Sequence, residues 1–246
     1  MTGAAPQGAR GEREAAAWVR DMFGRVAHRY DLANHLLSFN IDRYWRARTA
    51  ARLRDVLARP EARVLDICCG TGDLVRALQR ARPAGAPVYG SDFCHPMLLA
   101  ARAKVGKRLF EADALNLPLP DGSLDLLTVA FGFRNLANYA AGLREMRRVL
   151  RDRGVAAILE FSQPPNAAFR AVYNFYSRRI LPWIGGALSG SRDAYTYLPE
   201  SVRKFPAAEE LAEGMRRAGF HRVSFEYLTG GIVALHLGYS TNAPAL

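Results

Sequence analysis

The sequence has few cysteines and no long apolar runs, and each of these two shortages excludes a class of protein. Its three cysteines, two of them adjacent at Cys68 and Cys69, offer neither a disulfide framework nor a Cys-x-x-Cys metal pair. Its five histidines never fall into metal-ligand spacing with one another or with a cysteine, so we predict no metal site. The longest apolar runs, such as 126–133 and 180–188, are too short to span a bilayer, so we expect a soluble protein.

The beginning of the chain lacks the apolar core of a signal peptide. Residues 1–14 are rich in small and charged residues, so we predict a disordered tail and a cytoplasmic protein. With half of its 246 residues apolar, the chain is long enough to bury the core of a single α/β domain.

Basic charge is abundant but is supplied almost entirely by arginine. The formal net charge is +11, yet three of the 34 basic residues are lysine, and so lopsided a usage can reflect coding bias. Arginines cluster at 43–54, 147–153 and 178–179, and a basic face attracts anionic lipid by ~1 kcal/mol per residue. We therefore expect a transient contact with the inner face of a membrane. Because no RNA-binding module is recognisable, we expect no nucleic-acid partner.

The segment 64–74, with the sequence VLDICCGTGDL, carries the most informative pattern. An apolar run that contains Asp66 predicts a buried parallel strand, and Gly70-Thr71-Gly72 predicts a tight turn whose backbone amides approach a ligand closely. Apolar residues at helical spacing follow, which places a helix N-terminus at the same point. The segment therefore predicts a nucleotide-type pocket, with a plain glycine turn between strand and helix as the alternative.

The details of this loop narrow the choice of ligand. Val75 stands where a dinucleotide fingerprint requires a third glycine, and the sequence has no Gly-x-x-x-x-Gly-Lys-[Ser/Thr] loop for a nucleoside triphosphate. A ligand with an amino acid end and a ribose, but without phosphate, fits better. S-adenosylmethionine is the obvious candidate.

Acidic residues follow the next two predicted strands. Strand 88–91 ends in Asp92, whose carboxylate can accept from both ribose hydroxyls, although a helix-capping aspartate is the alternative. Asp113 can accept from an exocyclic amine such as that of adenine, and Phe93 and Met97 can pack against a flat ring. The predicted cofactor-binding residues are Asp66, Gly70, Thr71, Gly72, Asp92, Phe93, Met97, Asp113, Ala114 and Ala130.

A fourth predicted strand, 124–131, leads into Arg134 and Asn135. Ligands in open α/β sheets bind beyond the carboxyl ends of the strands, so these two residues are predicted to orient or polarise a substrate oxygen. The start of a surface helix is the alternative interpretation. Glu160, at the end of a fifth predicted strand, is expected to face the same pocket.

The remaining pattern completes an architecture of seven strands. Five βα units and a C-terminal hairpin, 223–228 and 232–239, predict a mainly parallel sheet with an antiparallel edge, the Rossmann-like α/β fold of class I S-adenosylmethionine-dependent methyltransferases. We predict a single methyltransferase domain that consists of a helical cap (15–58), a cofactor-binding core (62–162), an aromatic-rich substrate insertion (163–205) and a final helix and hairpin (206–246).

A further pattern is spread along the chain in separate segments. They include YDLANHLLS at 30–38, FGFRN at 131–135, LEFS at 159–162, YLPESVRKFP at 197–206 and LTGGIVA at 228–234. Together with the cofactor loop, these segments resemble the ubiquinone/menaquinone C-methyltransferase family over nearly the full length. The cofactor loop is shared by most class I methyltransferases, whereas the outer segments are specific to this family.

The resemblance implies methyl transfer from S-adenosylmethionine to a ring carbon of a polyprenylated quinol, most often demethylmenaquinol to menaquinol. A benzoquinol of ubiquinone biosynthesis or another small molecule is the alternative substrate. A lipid-binding protein that kept the fold and lost the chemistry is a further alternative. The oligomeric state stays open, with a homodimer as one state to test.

The implied chemistry needs the loss of a phenolic proton, with proximity as the main catalytic device. We assign catalytic roles to Arg134, Asn135, Tyr30 and Asp31. Arginine is a poor base because its pKa exceeds ~12, so Arg134 is expected to stabilise oxyanion charge, while Tyr30 and Asp31 position or deprotonate the quinol. By the same resemblance, Thr71, Asp92, Asp113 and Ala114 contact the cofactor.

The sequence departs from the family pattern at three places. Ala33 stands where a methionine is usual, Asp42 stands where a histidine is usual, and residues 151–154 replace a Lys-Pro-Gly-Gly turn. The turn is expected to lie on the side away from the cofactor. We assign Asp42 no catalytic role from the sequence.

Overall fold

Short apolar runs pair into one central sheet in the computed structural model, which describes residues 3–4, 6, 8–28, 31, 35–36, 38–176, 179 and 192–241. The strands are β1 (Val64–Ile67), β2 (Val88–Asp92), β3 (Leu109–Glu111), β4 (Leu124–Ala130), β5 (Leu150–Phe161), β6 (His221–Leu228) and β7 (Val233–Tyr239). Their order is β3-β2-β1-β4-β5-β7-β6, with β1 to β5 parallel and β7 antiparallel to both β5 and β6. The predicted fold class is confirmed.

Helices cover both faces of this sheet. They are α1 (Glu12–Val26), α2 (Ile41–Arg52), α3 (Arg54–Leu57), α4 (Asp73–Arg80), α5 (His95–Val105), α6 (Tyr139–Val149), α7 (Ala167–Phe175), α8 (Arg192–Lys204) and α9 (Ala208–Arg217). Successive strand residues point to opposite faces, so Leu65 and Leu127 join one apolar cluster, whereas Val64 and Leu126 join another. Strands buried on both sides explain why the predicted strands are continuous apolar runs.

The first helix begins earlier than the predicted boundary between tail and cap. Glu12 and Glu14 lie in its first turn and Arg25 in its last, which complements the helix dipole. Before the helix, the backbone amide of Ala4 donates to the carbonyl of Leu136 at 2.7 Å. Part of the predicted tail therefore contacts the domain.

β5 also begins earlier than the predicted strand 155–161. Helix α6 ends at Val149, and Leu150 already pairs with Leu124 of β4. The register shifts between Leu124 and Leu126, and Arg153 has a φ of +64°, so an irregular turn lies inside the strand. Periodicity alone gives no signal for such an irregularity.

The carboxyl ends of β1, β2, β4 and β5 meet at one edge of the sheet. The chain order reverses between β1 and β4, which is where open α/β sheets bind ligands. Helices α7 and α8 belong to the predicted insertion, whereas Trp183 lies outside the described residues. Among the described helices, none has the length and apolar character needed to cross a bilayer.

Candidate active site

A cavity of about 470 Å³ lies beyond the carboxyl ends of the strands and is lined by two groups of residues. We call the first group the cofactor half: Asp66, Gly70, Thr71, Asp92, Phe93, Met97, Asp113 and Ala114. We call the second group the aromatic half: Phe39, Trp45, Arg46, Phe131, Arg134, Asn135, Phe161, Phe169, Tyr173, Tyr176 and Ile232. Ala130 also lines the cavity.

The glycine loop gives the cofactor half its shape. Gly70 and Gly72 have φ angles of +54° and +85°, which favour glycine, and a Cβ on Gly70 would meet open space. Gly72, which is also predicted to bind the cofactor, does not line the cavity. A Cβ on Gly72 would lie 3.2 Å from the side chain of Val105. Gly72 precedes α4, so the positive end of that helix lies beside the loop.

Asp92 is the last residue of β2 and lines the cofactor half. One of its oxygens accepts from the amide of Gly70 at 2.8 Å, and the other accepts from the amide of Cys94 at 2.9 Å. Burial raises the pKa of Asp92, while these backbone hydrogen bonds lower it. Each oxygen keeps a further lone pair, so the carboxylate can also accept from two ribose hydroxyls.

Two other predicted acids occupy contrasting environments. Asp66 is buried at the end of β1 and accepts from the hydroxyl of Thr128 at 2.6 Å. Burial raises the pKa of Asp66 to about 7, against the opposing effect of that hydrogen bond. Asp113 is exposed and accepts from the amide of Leu115 at 2.9 Å, so its carboxylate stays at the open side of the cavity.

Arg134 and Asn135 are buried in a short 3-10 turn, so they do not start a surface helix. The Arg134 guanidinium donates to Glu160 at 2.9 Å, and its backbone amide donates to the same carboxylate at 3.1 Å. Glu160 does not line the cavity but lies behind Arg134 as its counter-ion. Tyr197 donates its hydroxyl to Asn135 at 3.2 Å and so joins α8 to this turn.

Asp31 lies behind the glycine loop and does not line the cavity. Its carboxylate accepts from the hydroxyl of Thr71 at 2.5 Å and is ion-paired with Lys104. Lys104 also contacts Asp73 at 2.8 Å, which joins the cap to the start of α4. Tyr30, the other catalytic residue predicted in this segment, lies outside the described residues.

Sequence reasoning anticipated Arg134, Asn135 and an aromatic insertion, but it missed the cap residues that complete the aromatic half. Trp45, from the cap, packs against Phe131 and Phe161, with ring centroids 5.7 and 6.3 Å from its own. Its indole N–H donates to the hydroxyl of Thr229 at 2.7 Å, across 184 residues of sequence. Arg46 lies over the ring of Phe131 at 5.4 Å. No local pattern indicates contacts between such distant segments.

Asp42, which departs from the family pattern, also lines the cavity. It accepts from Ser38 at 2.8 Å and from Arg46 at 2.5 Å, and it lies 2.8 Å from Nδ1 of His35. Ligand atoms of His35, Asp42 and Asp73 lie within 4.8 Å of one another. Because Arg46 and Lys104 already pair with these carboxylates, we interpret the group as an ion-pair network.

Curated relatives resemble the chain over most of its length. The demethylmenaquinone methyltransferase of Thermus thermophilus is 49% identical over 88% of this chain and 99% of its own. The protein of the same name from Deinococcus radiodurans is 47% identical over 89% of this chain and 91% of its own. A ubiquinone/menaquinone biosynthesis C-methyltransferase of Geotalea uraniireducens is 40% identical over 89% of this chain and 95% of its own.

Solved structures with low sequence identity share the fold. A SAM-dependent methyltransferase from Thermotoga maritima superposes with a TM-score of 0.63 at 19% identity, covering 90% of this chain and 99% of its own. One from Aquifex aeolicus gives a TM-score of 0.53 at 20% identity, covering 78% of this chain and 93% of its own. The model of the ubiE/COQ5 methyltransferase family matches residues 9–240, so this chain belongs to that family and uses S-adenosylmethionine as its cofactor.

Proposed function

We propose that the protein methylates a ring carbon of a polyprenylated quinol, with demethylmenaquinol as the substrate. One observation carries the proposal: the cavity that holds the cofactor acids is also lined by an aromatic half with a buried arginine. Relatives that are 49% and 47% identical are named for demethylmenaquinone. A benzoquinol is the second candidate, since a relative at 40% identity is named for both ubiquinone and menaquinone.

One set of residues holds the cofactor and the ring, and another set polarises the quinol oxygen. When bound, S-adenosylmethionine supplies an electrophilic methyl group. Asp92 and Asp66 hold the cofactor by hydrogen bonds and charge, while Trp45, Phe131 and Phe161 offer faces and edges to a flat ring. Fixing both reactants in one cavity supplies a large part of the rate acceleration.

Arg134 and Asn135 are the groups we assign to the quinol oxygen. The guanidinium remains charged and is held in place by Glu160, so it can stabilise oxyanion charge directly or through an ordered water. Asp31 takes a different role from the one expected, because Thr71 and Lys104 occupy its carboxylate. We assign it to positioning the cofactor loop.

The experiment that tests this function offers the purified protein labelled S-adenosylmethionine and two demethylated quinols, one naphthoquinol and one benzoquinol. We expect label in the ring-methylated naphthoquinol and a lower kcat/KM for the benzoquinol. A matched reaction with Asp92→Ala should transfer no label above background. Absence of label from both quinols with the unaltered protein would contradict the proposal.

The long apolar tail of such a substrate requires access to a membrane, and we propose that access lies at one rim of the cavity. Phe39, Val172 and Phe175 are 73%, 65% and 63% exposed. Phe39 from the cap lies 6.3 Å from Tyr176, which follows α7, so both sides of the rim are close together. Phe39 and Val172 also line the cavity, so a tail that leaves the cavity here meets apolar side chains.

The arginine cluster at 43–54 contributes less to this surface than its sequence suggests. Arg46 points into the cavity, whereas Arg48 and Arg52 pair with Glu226. We therefore propose that insertion of the apolar rim contributes most of the free energy of membrane binding, and that the basic charge contributes less.

Co-sedimentation with vesicles that contain phosphatidylglycerol tests this surface. The Phe39→Asp and Phe175→Asp substitutions should each lower the bound fraction several-fold. Leu99→Asp is the matched control, because Leu99 is 57% exposed on α5 and does not line the cavity. Equal losses in all three variants would contradict the proposed rim.

A further inference from the structure

The proposed reaction needs a group that removes a proton from the quinol hydroxyl. The two arginines of the cavity remain protonated. Burial raises the pKa values of Tyr173 and Tyr197 to about 12, so both hydroxyls keep their protons at neutral pH. Of the predicted catalytic residues that the structure describes, Arg134 and Asn135 are not bases, and Thr71 and Lys104 contact the carboxylate of Asp31 away from the cavity, so another group has to remove the proton.

The cavity acids differ in what occupies their oxygens. Asp92 and Asp113 accept from backbone amides in the cofactor half, and Asp73, at the start of α4, pairs with Lys104 and Arg46. Asp66 lies at the foot of the glycine loop, accepts from Thr128, and is assigned to the cofactor in the proposed function. Asp42 is the acid on the aromatic side, and among the described acids that line the cavity it has the closest imidazole contact, at 2.8 Å.

Asp42 is also connected to the proposed ring site. Arg46 donates to it at 2.5 Å and lies over the ring of Phe131, whose centroid is 4.8 Å from that of Phe161. The carboxylate is 3% exposed, and the hydroxyl of Ser38 holds its second oxygen at 2.8 Å. A quinol that stacked in the aromatic half would therefore lie near Asp42, which in turn contacts His35.

We propose that Asp42 accepts the proton of the quinol hydroxyl. His35 acts through Asp42 as a positioning residue, and its imidazole can share that proton across their contact. This inference rests on the proposed function. The O–H bond breaks, its proton passes to the pair, and its electrons stay on the oxygen. Delocalised into the ring, they make the ortho carbon nucleophilic, and the new carbon–carbon bond forms as the methyl–sulfur bond breaks with its electrons left on sulfur. One proton leaves for each methyl group transferred once the ring regains its aromaticity.

The surroundings of His35 suit this sharing of the proton. Its Nδ1 contacts Asp42 and its Nε2 lies 3.9 Å from Asp73, so an imidazolium would lie between two carboxylates. The other charged groups around it are Arg46, which pairs with both acids, and Lys104, which pairs with Asp73. An imidazole changes its charge near neutral pH more readily than other side chains do.

Steady-state kinetics with the variants His35→Gln and Asp42→Asn test the assignment. We expect kcat/KM for the quinol at pH 7 to fall about 100-fold in each, within the range that general-base catalysis supplies, while the cofactor Kd stays within about twofold. The acid limb of the pH profile should disappear in His35→Gln. His95→Gln is the matched control, because His95 makes a similar contact with Glu111 at 3.0 Å outside the cavity and should retain full activity.

A more acidic substrate separates a proton acceptor from a structural residue. A quinol with a halogen on its ring loses its hydroxyl proton more easily, so it should restore most of the lost rate in both variants. Activity within threefold of the unaltered protein, or an equal loss with both quinols, would overturn the inference. An acid limb that moves in Asp66→Asn but not in His35→Gln would overturn it too. If the unaltered protein methylates neither demethylmenaquinol nor the halogenated quinol, the proposed function itself fails.

Discussion

The residues of the two halves of the cavity differ in how far apart they lie along the chain. The cofactor half comes from one stretch between Asp66 and Ala114 and relies on backbone amides, glycine conformations and acids at strand ends. The aromatic half is assembled from the cap, the ends of β4 and β5, α7 and the turn before β7. The residues predicted to bind the cofactor thus lie close together in the sequence, whereas the proposed substrate site depends on tertiary packing.

The largest effect is expected from Asp92→Ala, which removes the carboxylate from the cofactor half. Two charged hydrogen bonds to ribose hydroxyls are worth about 1.5–3 kcal/mol each, so the Kd for S-adenosylmethionine should rise at least about 100-fold. Isothermal titration calorimetry measures it directly. A rise of less than about fivefold would show that the strand-end acid is not the main cofactor contact.

The next effect is expected from Arg134→Lys in the aromatic half. A lysine keeps a cation beside buried Glu160 but loses the planar fork, so the fold should be retained while kcat falls about 30- to 100-fold. The cofactor Kd should stay within about twofold. Parallel losses in kcat and in cofactor affinity would mean that the two halves do not act separately.

A smaller effect is expected when the pH changes across the pKa of Asp66. Because burial raises this pKa to about 7, the carboxyl is mostly neutral at pH 6 and mostly charged at pH 8. The sulfonium of the cofactor is positive, so its Kd should fall about three- to fivefold over that rise in pH. In Asp66→Asn the Kd should be nearly independent of pH. The same pH dependence in both proteins would assign it to another group.

An effect no larger than this one is expected from Trp45→Phe, which removes the hydrogen bond to Thr229 and keeps most of the ring. The loss of one neutral hydrogen bond, about 1 kcal/mol, should raise KM for the quinol about three- to fivefold and leave the cofactor Kd unchanged. Trp18→Phe is the matched control, since Trp18 packs on Tyr197 and does not line the cavity. Equal changes in KM in both variants would remove the aromatic half from substrate binding.

The sequence predicts the fold, and it predicts that several acids meet beside one cavity, because both follow from short-range rules. Asp66, Asp92 and Asp113 each come at a strand end, and the order of the strands brings those ends together. Asp31 illustrates the limit of such reasoning. It is itself predicted to position or deprotonate the quinol, yet its carboxylate contacts Thr71 and Lys104.

The aromatic half could not be predicted in the same way. The roles of Trp45 and Thr229 emerge only when segments 184 residues apart are packed together, and Arg46 belongs to an arginine cluster that suggests a surface. The pairing of Asp42 with His35 has a similar origin, because the two residues are seven positions apart and a turn with left-handed residues Phe39 and Asn40 lies between them. Side-chain partners across such a turn have no fixed spacing.

The hydrogen bond between Trp45 and Thr229 has a consequence for how the protein is made on the ribosome. The acids of the cofactor half have all been synthesised by Asp113, whereas the partner of Trp45 emerges only when β6 is complete. The aromatic half therefore cannot be complete before the C-terminal hairpin has been synthesised and has docked. Until then the growing chain has no finished place for the proposed quinol.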